Sequence, residues 1–78
     1  MAKIEHSFLM QLNSKIDKNF RVIIALRPFT NIDELEIKEP KILMENILVA
    51  TITGKQILQL SENINVETIE QDSEMYIL

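Results

Sequence analysis

Seventy-eight residues, 46% of them apolar and 26% charged, describe one small folded domain and exclude a disordered polyampholyte. The chain has no cysteine, which excludes a disulfide framework and a thiolate metal site. A formal net charge of −4 disfavours nucleic acid as a partner, and no apolar run is long enough to span a membrane.

The first residues, MAKIEHSFLMQLNSK, interleave acid, histidine and asparagine with apolar positions. That is unlike the unbroken apolar stretch of a secretory signal, so cytoplasmic residence is expected. Ile4, Phe8, Leu9, Leu12 and Ile16 fall on one stripe of a helix, which predicts a helix over 4–16 ending near Asp17-Lys18-Asn19. Phe20 to Pro28 (FRVIIALRP) is rich in β-branched residues and closed by proline, as in a buried strand.

Thr30 or Asn31 is placed to cap a short helix through Leu35, with Asp33 and Glu34 in its first turn. Leu35-Glu36-Ile37-Lys38 also alternates like a strand, so two readings of this segment stand. Pro40 ends whatever precedes it. Lys41 to Glu45 and Ile47 to Thr53 then read as two strands joined tightly around Glu45-Asn46.

Gly54, the chain's one glycine, sits where the strand hands over to a helix, Lys55 to Glu62, with Ile57, Leu58 and Ser61 toward the core and Leu60 beside them. Asn63 is expected as its left-handed C-cap. Val66 to Ile69 is the last strand. This order implies an α+β, ferredoxin-like two-layer sandwich of a four-stranded antiparallel sheet and two helices.

A sheet covered on one face usually alternates apolar and polar residues. Here Val22, Ile24 and Leu26 face one way while Ile23 and Ala25 face the other. Ile47 and Val49 likewise oppose Leu48, Ala50 and Ile52. Two helices cover one face only, so the second apolar face is expected to meet a partner.

Catalysis has little to build on, and no catalytic residue is assigned. His6 is the one histidine, and Ser7, Ser14, Ser61 and Ser73 have no motif around them. A glycine-rich phosphate loop is excluded with Gly54 alone. Asp33-Glu34 reads as solvated loop acids, so neither a metal nor another cofactor is expected. Lys55 is the last lysine, and Glu62, Glu67, Glu70, Asp72 and Glu74 follow it.

From Leu48 to Leu78, and again over Arg21 to Arg27, the chain resembles the subtilisin propeptide-like family of protease inhibitors and folding chaperones. Ala50-Thr51-Ile52 resembles the family's Ala-Thr-Leu at the end of the third strand. Leu60 matches a leucine of the following helix, and Asn63 to Val66 stands where the family carries Asp-Pro-x-Val. Val66, Ile69, Glu70 and Asp72 fit its Val-x-x-Val-Glu-x-Asp.

The resemblance implies a single inhibitor domain over 1–78, with 73–78 as an extended C-terminal tail. Its partner would be a subtilisin-like serine protease, with a role as folding chaperone through the same surface. Met75, Tyr76, Ile77 and Leu78 would lie in the substrate groove, Leu78 in the primary pocket and Met75 in the fourth subsite. Glu70 and Asp72, two apart on an extended strand and so pointing the same way, would cap two helices of the protease. That the chain ends at Leu78 suggests an inhibitor acting in trans.

Two departures from the family stand out. Only Pro28 to Lys41 is available for the helix that the family carries between its first two strands. A helix precedes the first strand instead, and it is expected to take the missing helix's place on the sheet. The rival reading is a ferredoxin-like dimerisation or regulatory module without a protease, a homodimer through the open face.

Overall fold

The computed structural model describes residues 3–72. Its elements run in the order α1 (His6–Ser14), β1 (Asn19–Leu26), a 3-10 turn (Ile32–Leu35), β2 (Lys41–Met44), β3 (Ile47–Thr53), α2 (Gly54–Leu60) and β4 (Val66–Gln71). The four strands form one sheet in the order β2-β3-β1-β4, with every pairing antiparallel. This is an α+β domain with an open sheet and two helices, in the ferredoxin-like strand order.

The alternation in the strands decides which side chains meet the helices. Val22, Ile24 and Leu26 of β1 lie on one face with Leu48, Ala50 and Ile52 of β3 and Ile69 and Val66 of β4. All are buried in a single cluster with Phe8 and Leu12 of α1 and Ile57 and Leu60 of α2. Leu12, Ile24, Leu48 and Ile57 are fully enclosed. Phe8 also packs edge-on against Phe20, with ring centroids 5.6 Å apart, a favourable aromatic geometry.

The helix before β1 packs beside α2 on the same face of the sheet. It is shorter than the 4–16 stripe suggests. Glu5 is extended because the preceding backbone is committed to β4. Ile4 forms a parallel bridge with Ile69, and the Ile69 N–H donates to the Lys3 carbonyl at 2.9 Å. Ile4 is therefore core, as its spacing implies, but as bridge backbone and not as helix. Ile16 falls in the turn after α1 and is 42% exposed.

Between β1 and β2 the helical reading holds and the strand reading does not. The Asn31 side chain accepts from the Asp33 N–H at 3.1 Å, capping the 3-10 turn. Glu36 and Glu39 adopt left-handed φ values of 56° and 49°, which no strand tolerates. This loop tucks Leu35 into the core.

At the β3–α2 junction, Thr53 and Gln56 form a capping box, which satisfies two helix-end donors at once. A Cβ on Gly54 would lie 3.1 Å from both the Ile16 Cα and the Lys15 carbonyl oxygen, so the turn after α1 packs directly on this glycine. The expected left-handed Asn63 is a correction. The left-handed non-glycine residues among those described are Phe29, Glu36 and Glu39. Ser61 keeps right-handed geometry, and the Asn63 side chain accepts from the Asn65 N–H at 2.8 Å, fixing the turn into β4. β4 itself runs to Gln71, two residues beyond the apolar stretch, because Glu70 and Gln71 still pair with Ile23 and Val22.

Candidate functional site

The second face of the sheet carries no helix among the described residues, and its composition follows from register alone. One row runs Glu70, Ile23, Val49, Lys41 across β4, β1, β3 and β2. The next runs Thr68, Ala25, Ile47, Met44. A third places Arg21 beside Thr51. Ile23, Ala25 and Ile47 are half-buried, Val49 is 7% exposed, and Glu70, Thr68 and Lys41 are exposed.

The face is thus an apolar centre with a carboxylate at one edge and an ammonium at the other. Beside it, β2 is an edge strand with all four residues exposed. Ile42, Leu43 and Met44 are each more than half exposed, and their apolar character at a free edge suits contact with another polypeptide.

The two acids assigned to a partner are brought to the same face but not to the same environment. Glu70, opposite Ile23 and next to the last pair of its ladder, is exposed to solvent. Asp72 lies just past β4, where its N–H donates to the Arg21 carbonyl at 2.9 Å. The Asp72 Oδ2 stands 2.7 Å from the Arg21 Nε, with the aspartate side chain 10% exposed and the arginine 49%. Asp72 is therefore engaged within its own domain in a short, charge-assisted contact.

Arg21 is a site residue that sequence reasoning does not single out. Its signal exists only in the β1–β4 register, which brings together residues remote in the chain. Met75, Tyr76, Ile77 and Leu78 lie outside the described residues. His6 is exposed at the start of α1, and Ser7 beside it donates to Glu5 at 2.8 Å. Among the described residues, no group of three His, Cys, Asp or Glu side chains is placed to hold a metal ion, and no helix is long and apolar enough to cross a membrane. A comparison with known proteins finds no family model, no curated protein and no solved structure that matches this chain.

Proposed function

We propose that this domain inhibits a subtilisin-like serine protease, binding through the open sheet face and laying Met75 to Leu78 in the substrate groove. It works by binding and not by catalysis, and the same surface serves a folding-chaperone role. The observation that carries the reading is the position of Glu70: an exposed carboxylate directly beside the apolar pair Ile23 and Val49. A helix N-terminus presents unsatisfied N–H groups and a partial positive charge. Glu70 would meet such an end while Ile23, Ala25 and Ile47 cover the helix flank. A domain without cysteine is also at home in a reducing compartment, which supports a cytoplasmic setting.

The size of the face favours a partner that also engages the tail. Four strands about 4.8 Å apart and three rows of outward residues give roughly 400 Å² per partner. That is about half of what a stable interface buries on each side. An apolar tail in pockets supplies the remainder, since each buried anchor side chain contributes roughly 1.5–3 kcal/mol.

The rival homodimer is favoured by one observation, the row Glu70–Ile23–Val49–Lys41. A two-fold axis along the strands between β1 and β3 would set Glu70 of each copy over Lys41 of the other. With so small a face, that dimer is weak. The test is a residual-activity titration of subtilisin-like proteases with the purified chain, alongside sedimentation of the chain alone. Stoichiometric, substrate-competitive inhibition is expected. No inhibition, together with a stable dimer, replaces this reading by the rival one.

A further inference from the structure

Arg27 to Thr30 forms a tight turn directly after β1. The Thr30 N–H and hydroxyl both donate to the Arg27 carbonyl, at 3.3 and 2.7 Å. The Pro28 ring holds φ at about −65°, and Phe29 follows at φ 66°, the order of a type II turn. The second central position of that turn favours glycine, because a side chain is strained at positive φ. Here it carries phenylalanine, and the residue is 103% exposed.

Neither backbone nor burial accounts for this residue within the domain. Glycine would suit the turn better, and a polar side chain would suit the solvent better. Strained conformations of this kind cluster at ligand contacts and switches. Aromatic side chains, in turn, are among the commonest anchors of protein interfaces.

Register indicates which contact the ring can join. The open face ends in the row Thr68, Ala25, Ile47, Met44, and Phe29 follows Ala25 so closely that about 14 Å is the most the chain can put between them. At this end of the sheet the Leu26 N–H donates to the Asn46 carbonyl and the Arg27 N–H to the Asn65 carbonyl. The neighbouring turns there expose Met44 and Ile64 as well. A stable interface of ~800 Å² per partner has a radius of roughly 16 Å. The open strands supply about half of that area, so a partner seated over Ala25 and Ile47 in a full-sized contact reaches Phe29.

We infer that Phe29 is an anchor that lengthens the sheet-face contact, lodging in an apolar hollow of the protease surface and selecting among proteases by whether they carry one. The inference rests on the inhibitor reading and adds to it a specificity-determining residue. The turn presents the ring already clear of its own domain, so docking requires no rearrangement of the core to release it.

The test uses the full chain with Phe29→Gly, Phe29→Asn and Phe29→Tyr, measuring thermal unfolding without protease and inhibition of one subtilisin-like protease. Glycine and asparagine tolerate positive φ, so both variants should melt higher than the parent by about 2–6 °C. Both should nevertheless inhibit at least about tenfold more weakly, as expected on losing an aromatic anchor. Phe29→Tyr, which keeps the ring and the strain, should inhibit like the parent.

A lower melting temperature in both the glycine and the asparagine variant would mean that the ring serves its own domain, and would overturn the anchor. Undiminished inhibition by both, while the intact chain inhibits, would also overturn it and leave the inhibitor reading in place. Sedimentation that shows a dimer of the intact chain lost in Phe29→Gly would hand the residue to a second copy instead. An intact chain that inhibits nothing overturns both readings.

Discussion

Glu70 and Ile23 are direct cross-strand partners, so a solvent-exposed carboxylate borders the apolar centre of the uncovered sheet face. This pairing joins the two properties that a protein-binding face needs. In the proposed contact the apolar residues would supply area and the acid at their margin orientation. Glu70→Gln should leave thermal unfolding within about 0.5 kcal/mol of the parent, as for most surface changes. It should weaken protease binding by several-fold at low salt, with a smaller loss at high salt, where the charge is screened. An affinity unchanged at every ionic strength would remove Glu70 from the interface.

Ile23→Lys probes the apolar centre itself. The new ammonium would stand opposite Glu70 on a half-buried, helix-free face, so the domain should stay folded with a normal circular dichroism spectrum. Inhibition should drop by at least about a hundredfold, since the ammonium would be carried into a desolvated contact and would draw Glu70 away from the partner. Full inhibition by this variant would place the docking surface elsewhere on the domain.

The faces of the sheet are legible in the sequence because β-strands have a strict period of two. Val22, Ile24 and Leu26 against Ile23 and Ala25 suffice to separate the two faces, but both sets are apolar, and which face is covered is decided by where the helices pack. β3 is legible to the residue because Thr53 and Gly54 punctuate it. The ends of α1 are not legible: Ile4 satisfies helical spacing, yet its backbone is claimed by a bridge to Ile69, a tertiary contact with no local signature. The environment of Asp72 is hidden for the same reason. Its partner Arg21 lies on a strand far away in the chain, and the choice between a partner-facing acid and an internal one depends on register.

Leu12→Ala measures how far the helix before β1 belongs to the core. Leu12 is completely buried, and its truncation should destabilise the domain by about 2–5 kcal/mol. That is a large share of what so small a domain is expected to have. Chemical denaturation with a single transition should report the loss. A change below about 1 kcal/mol would mean that α1 is peripheral to the sheet.

Gly54→Ala sets helix propensity against packing. Alanine would gain about 1 kcal/mol as a better helix former. Its Cβ, however, would press on the Ile16 Cα and the Lys15 carbonyl oxygen, both at 3.1 Å. These are backbone atoms that cannot rotate away, so a net destabilisation of about 1–3 kcal/mol is expected. A raised melting temperature would show that the turn after α1 yields to the added methyl.

The central claim is that the domain presents its tail to a protease. The most direct measurement compares the intact chain with one lacking Met75 to Leu78, by inhibition and circular dichroism on the same samples. The described residues 3–72 enclose a core cluster of their own, so the shortened chain should keep its fold. Its affinity should fall by at least about a hundredfold, ~2.7 kcal/mol, through loss of two anchors and their strand pairing. A shortened chain that stays folded and inhibits as strongly as the intact one would contradict the account.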